Sequence, residues 1–332
     1  IAMKALALFL ISLIVFAIPA EAADVLNPVG IKEWNIPFGG RSRDPFAENA
    51  KSVWFVGQGG NYLARLNPDT GKIFKKDLGD EPGPHNLIVG KDGIVWYSGN
   101  LAGYIGRYDP KNGQLEKIPM PNRSARDPHT LVFDASGKHI WFTSQWGNLV
   151  GRLTIASRQV DLIRVPSGRA RPYGIIVAPS GVPWVALLGT DKLASIDPKT
   201  LKLTEHKVIA GARPRRVDAT PDGRIYYADY RRGFLGRLDP KTGKLDEWAL
   251  PAGSNADPYG MAVDKLGRVW VVETGVSPNK FVGFDPAQNK IFSITPIPSG
   301  AGSVRHMHYH AATGTVWFGT DEDTIGRAIV SK

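Results

Sequence analysis

Six of seven matched positions in this chain hold side chains that move protons or grip charge: His85, His129, Tyr173, Arg215, Tyr259 and His306, with Phe46 at the seventh. Each closes a three-residue opening: Asp44-Pro45-Phe46, Gly83-Pro84-His85, Asp127-Pro128-His129, Arg171-Pro172-Tyr173, Arg213-Pro214-Arg215, Asp257-Pro258-Tyr259 and Val304-Arg305-His306. Proline fixes φ near −65° and keeps its predecessor extended, so the side chain that follows is aimed reproducibly. A purely structural repeat would fill such a position with one residue type. The mixture of histidine, tyrosine and arginine reads instead as a site assembled from separate repeats. The competing reading is that these groups hydrate or plug a polar channel.

The elements that position them are marked by a second series. Trp54, Trp96, Trp141, Trp184, Tyr226, Trp270 and Trp317 follow one another at intervals of 42, 45, 43, 42, 44 and 47 residues. A period in the low forties means a solenoid or a propeller. Every unit carries short β-branched or aromatic runs parted by Asp-Gly, Thr-Gly or Asn-Gly turns and no helical stretch, which favours the propeller. From Asp257 to Pro298 the four strands of one unit read in full: Gly260 to Val263, Val269 to Glu273, the run FVGFDP and Lys290 to Thr295. The expected fold is therefore all-β: a seven-bladed β-propeller with four antiparallel strands per blade. The last unit, TVWFGTDEDTIGRAIV, lacks a fourth strand, and Ile31 to Pro37 matches the missing pattern. Pairing of the two would close the ring and leave no open edge, giving one domain over residues 30–332 and a fold compatible with a monomer.

Residues 1–22 read differently. Met3 and Lys4, the largely apolar run from Ala5 to Ile18 and the small-x-small stretch Ala20-Glu21-Ala22 form the pattern of a secretory signal peptide. The apolar run is shorter than the roughly 20 residues of a spanning helix, so no stable membrane anchor is expected after cleavage. The mature chain should begin near Ala23 and reside in the periplasm or be secreted. With no cysteine it uses neither disulfides nor thiol ligands. The net charge is +10, and the fifth unit concentrates Arg213, Arg215, Arg216, Arg224, Arg231, Arg232 and Arg237. A solvated face is the plain reading of that cluster. The sharper one has Arg213, Arg215, Arg231 and Arg232 drawing an anionic ligand to one rim. Nucleic acid is not expected, since no continuous basic stripe accompanies the export signal.

Loops between the second and third strands lie at the same mouth and add Gln58, Asn100, Gln145, Asp229, Glu273 and Asp321, of which Glu273 directly follows the apolar run Val269 to Val272. His139, His206 and His310 fall elsewhere in the repeat and read as surface or turn residues. In the run Arg305-His306-Met307-His308, a small shift of register would exchange the roles of the two histidines.

The repeated Pro-His or Pro-Tyr opening, DG-x-x-W-F, I-G-R-x-D-P-x-T-G and E-x-x-x-P strand resemble the streptogramin B lyases, the virginiamycin B lyase family of seven-bladed propellers, over residues 30–330. The resemblance implies antibiotic inactivation by opening an ester of a cyclic depsipeptide through elimination, with Mg²⁺. It implies a site built from a Pro-His opening, a Glu-Pro-His opening and a Pro-Tyr opening on successive blades. The same order occurs here as His85, then Asp127-Pro128-His129, then Tyr173, with Asp127 one methylene shorter than the family's Glu. Elimination needs a base beside a carbonyl, an electrophile for the enolate and an acid for the leaving oxygen. His129 is the expected base, Asp127 and His85 the expected holders of Mg²⁺ directly or through water, and Tyr173 the group that orients substrate. Direct coordination by His85 is the weaker role, because Mg²⁺ prefers oxygen. Arg215, Tyr259, Glu273 and His306 would line the substrate rim.

No Gly-x-Ser-x-Gly elbow, phosphate-binding loop or dinucleotide fingerprint competes. The expected partner is a small molecule or peptide lactone, with an anionic one suited to the basic rim. The alternative function is a non-catalytic periplasmic recognition propeller. A metal-dependent lactonase ranks third, because Asp44, Asp127 and Asp257 offer few carboxylates to a channel metal.

Overall fold

Alternating strand and turn signals produce 28 strands in the computed structural model, which describes residues 25–331. The expected leader, residues 1–22, lies outside the described residues. Seven four-stranded antiparallel sheets surround one axis as blades. Blade one comprises Ser42–Asn49, Ser52–Gly57, Tyr62–Leu66 and Ile73–Asp77, and the innermost strands of blades two to seven are Pro84–Val89, Pro128–Phe133, Pro172–Val177, Pro214–Ala219, Pro258–Val263 and Met307–His310.

Closure follows the expected clasp. Ile31–Asn35 pairs with Thr324–Ile329, Trp34 opposite Ile325, and so supplies the outer strand of blade seven. The chain engages slightly before residue 30: Leu26 bridges Ile294 on blade six, and Asn27 Nδ2 donates to the Phe292 carbonyl. Among the described residues no helix is long and apolar enough to cross a membrane.

The seven periodic aromatics are buried in the second strands. An arginine of the third strand, preceded by Gly151 in blade three and by Ala64 in blade one, sits opposite several of them, as Arg65 opposite Trp54 and Arg152 opposite Trp141. There the guanidinium caps the ring at 5.3 and 5.7 Å, which accounts for the recurring motif. The glycine of the Gly-Arg step has a separate cause. Gly106, Gly151, Gly236 and Gly326 lie directly opposite Tyr97, Phe142, Tyr227 and Phe318, whose rings fold over the bare backbone. A Cβ at Gly151 would fall inside the Phe142 ring. Gly151→Ala is therefore expected to cost about 1–3 kcal/mol through overpacking, read as a lower denaturant midpoint with an unchanged slope.

Candidate functional site

A β-bulge in the innermost strand builds the site. In blade two the register passes from Pro84 opposite Gly99 to Leu87 opposite Tyr97, leaving one extra residue between them. Blades one, three, four, five and six repeat the irregularity. A bulge re-aims side chains, and in these six blades two consecutive residues of the innermost strand turn to the axis instead of one, while in blade seven Arg305 and His306 stand just before the strand. One tier holds Arg43, His85, His129, Tyr173, Arg215, Tyr259 and Arg305. The next holds Asp44, Asn86, Thr130, Gly174, Arg216, Gly260 and His306.

Two expectations shift by register. Phe46 faces Trp54 as Ile88 faces Trp96, so Arg43 takes the ring position in blade one and Phe46 lies off the channel. Likewise His308 faces Trp317, which places Arg305 in the first tier and His306 in the second. His308 stacks on Phe46 at 4.1 Å and belongs to the packing between blades. A count of eleven residues back from Trp54 would have found Arg43 in the sequence, and one more in blades with the longer first turn would have found Arg305.

The first tier forms a continuous run of rings. His85 and His129 lie 3.7 Å apart between centroids and His129 and Tyr173 4.2 Å, while the Tyr173 and Tyr259 hydroxyls are hydrogen-bonded. Arg215 spreads its guanidinium over Tyr259 at 3.6 Å and Tyr230 at 4.2 Å. The four rings from His85 to Tyr259 are only 2–6% exposed. Sequence reasoning brought His85, His129, Tyr173, Tyr259 and Arg215 together, and the structure does place them in one cluster.

The second tier ties opposite blades. Arg216 of blade five reaches across the axis, donating from Nη1 to Thr130 Oγ1 at 3.0 Å and from Nε to the Arg305 carbonyl at 2.9 Å. Gly174 leaves the room for it, since a Cβ there would lie 2.9 Å from the Arg216 Cα. Thr130 Oγ1 also meets His129 Nδ1 at 2.9 Å. Asp44 accepts from Arg43 Nε and from Asn86 Nδ2, each at 3.0 Å, with Arg216 Nη2 4.0 Å away. Asn86 in turn accepts from the Leu131 amide.

These contacts set the protonation states. Burial, with Arg43, holds the His85 imidazole well below its ordinary pKa, and burial with Arg216 does the same for His129, so both are neutral at working pH. His306 is pushed down to about 4 by burial and Arg216. Burial would raise Asp44, but Arg43, His306 and Arg216 outweigh it and hold the carboxylate far below its usual range. Burial would raise Tyr259 as well, yet Arg215, Arg216 and Arg43 make its phenol the more acidic of the pair, while burial and Tyr259 raise Tyr173.

Other expected residues serve elsewhere. Asp127 Oδ1 accepts from Ser144 Oγ at 2.6 Å and the Gly147 amide at 3.2 Å, and Oδ2 accepts from the Trp146 amide at 2.7 Å. It is spent on fixing the rim loop of blade three. Among the described residues no group of three or more His, Asp or Glu is placed to hold a metal. With three donors already on Asp127 and His85 among guanidiniums, the residues present do not fit the expected Mg²⁺. Glu273 accepts from the Ala252 amide at 2.8 Å and is raised by burial, serving the linker between blades five and six. The fifth-unit arginines disperse: Arg232 pairs with Asp229 and Glu247, Arg237 with Asp246 and Arg224 with Asp222, which removes Arg232 from the expected anion rim. The rim does carry an exposed Trp146, 66% accessible, with Arg171 4.5 Å from its ring.

Residues 29–196, which include His85, Asp127, His129 and Tyr173, match the profile of the Virginiamycin B lyase family. Among solved structures, selenomethionine-substituted virginiamycin B lyase from Staphylococcus aureus superposes with a TM-score of 0.81 at 22% identity, covering 91% of this chain and 99% of that one. A catalytically inactive variant of that enzyme with quinupristin gives the same values. YCF48 bound to the D1 peptide superposes with a TM-score of 0.73 at 12% identity, over 96% of this chain and all of the other. At these identities the superpositions establish the fold. No curated protein sequence matches the chain significantly.

Proposed function

The chain belongs to the virginiamycin B lyase family, and from that membership we propose that it is a carbon–oxygen lyase opening an ester of a cyclic depsipeptide, or a related ester, by elimination. The observation that supports this most is the neutral His129 imidazole, buried among guanidiniums and hydrogen-bonded through Nδ1 to Thr130. If Nδ1–H donates to Thr130 Oγ1, Nε2 carries the lone pair that a base needs. His129 then takes the proton from the carbon beside a carbonyl. Arg43 and Arg216 receive the negative charge that develops on the carbonyl oxygen and the departing carboxylate, the part that fixed dipoles and charges play at an oxyanion. The electron pair of the broken C–H bond forms a carbon–carbon double bond as the C–O bond breaks, and no water is consumed. Tyr173, held by Tyr259, orients the substrate, and Trp146 offers an aromatic face at the rim.

Mass spectrometry of a streptogramin B-type depsipeptide incubated with the protein tests the reading. A linear product of unchanged mass supports elimination, and a product heavier by one water sinks it. The pH profile is a second check. Because the His129 pKa is depressed, its base form persists as pH falls, so kcat/KM should stay level through the ordinary imidazole range around 6.5. A limb centred near that value would show His129 to be solvated, against the reading.

The near-complete burial of the four rings favours one second reading, a recognition propeller that binds without turnover. Capture of a ligand unchanged in His129→Ala, with no product, would select it. We also propose export with cleavage near Ala23, which N-terminal sequencing of the cell-envelope protein tests.

A further inference from the structure

The two tiers bury more positive charge than they neutralise. Arg43 and Arg216 share one buried carboxylate, Asp44, Arg215 lies over the Tyr259 and Tyr230 rings, and Arg305 is paired with Asp321 at the rim. Hydrogen bonding is incomplete in the same place: Arg43 Nη2, Arg216 Nη2, Arg215 Nε and the Nδ1 atoms of His85 and His306 are buried without a partner. Arg43, Arg216 and His85 are themselves 3–6% exposed, so solvent does not readily complete them. Buried polar atoms left without a partner are costly, charged ones most of all, and five in one channel are not left idle without cause. Arg216 donates through Nη1 to Thr130, which also meets His129, and its Nη2 lies 4.0 Å from Asp44, the carboxylate that Arg43 holds, so the two guanidiniums converge on one part of the channel. Tyr259, made acidic by the same arginines, is the chain's own partial answer to the surplus.

We propose that the axial channel is a binding site for a small planar anion of the carboxylate class, gripped by Arg43 and Arg216 from opposite sides. Guanidinium forks match a carboxylate in plane and in donor spacing, whereas a dication is repelled. Arg216 lies 5.2 Å from the Tyr173 ring, whose hydroxyl is bonded to that of Tyr259, so the phenols border the two guanidiniums. Arg231, outside the ring, takes no part. The site stands on the channel geometry and not on the elimination reading: a carboxylate that binds with no lyase turnover would sink that reading alone. Where both hold, the anion is the carboxylate released as the ester opens.

Sodium formate titrated into the purified chain at constant ionic strength, followed by calorimetry and by thermal midpoint, tests the site. The expected result is one saturable site per chain and a midpoint that climbs with formate by mass action. Arg216→Met should weaken formate at least 10-fold, Arg216→Lys should keep part of the affinity, and Arg231→Ala should change nothing. If Arg216→Met does not fold, Arg43→Met provides the same comparison. Absence of a saturable site in the wild-type chain overturns the proposal, as does equal binding by the folded methionine variant. Tighter binding of sulfate than of formate overturns the assignment to the carboxylate class.

Discussion

Replacing His129 with alanine is expected to lower kcat/KM for ester opening by roughly 10²–10⁴-fold, the usual worth of a positioned general base. Nothing else in the channel can replace it at once. His85 stacks against it at 3.7 Å, but its Nδ1 has no hydrogen-bond partner, whereas His129 Nδ1 has Thr130. The substitution also removes a ring packed between His85 and Tyr173, so His129→Asn is the necessary companion: it retains volume and polarity without the base. Both variants should bind substrate and lose kcat, and their denaturant midpoints separate catalysis from folding. Full activity in a folded His129→Asn chain would remove His129 from the reaction and leave the recognition reading standing.

Neutralising Asp44 should have the largest effect on stability, about 3–5 kcal/mol for Asp44→Asn, because it leaves Arg43 and Arg216 buried without their countercharge. The pH dependence follows from the direction of its shift. Asp44 has a folded pKa held below the unfolded value of about 3.9, so its stabilising contribution is present above that value and is lost as pH falls beneath it. Acid unfolding of the wild type should therefore steepen below about pH 4. Asp44→Asn should unfold at lower denaturant at neutral pH and show less of this acid limb. Removing an arginine as well, in Asp44→Asn with Arg43→Met, should recover part of the loss, since the pair interact directly and their effects are not additive. A midpoint within about 0.5 kcal/mol of wild type for Asp44→Asn would show that the arginines are already neutralised by other means.

Comparison of particular residues shows how much of this was legible beforehand. The aromatic series, the Asp-Gly turns and the I-G-R step recur because each meets a local demand that returns from blade to blade: a buried ring on the second strand, a tight turn and, in blades two, three, five and seven, a bare backbone beneath a ring. His85, His129 and Tyr173 were visible through their fixed place after proline. Arg43 and Arg305 were missed because the openings of blades one and seven were aligned on their prolines and histidines and not by distance from the buried aromatic. Arg216 was visible only as part of a basic cluster, and Asp127 looked like a ligand because a carboxylate beside a Pro-His step carries no mark of the three donors that engage it.

The division has one physical cause. Strand, turn and blade count follow from interactions within a blade and between its neighbours, which are short in sequence and recur around the ring, and closure was legible because the last unit lacks the strand that Ile31–Asn35 supplies. The character of the channel depends on contacts that exist only after the ring closes. Arg216 meets Thr130 across 86 residues, Tyr173 meets Tyr259 across another 86, and the bulge in blade five turns Arg216 as well as Arg215 toward the axis. No periodicity encodes those meetings. Folding brought them about, and with them a channel lined by Arg43, Arg215 and Arg216.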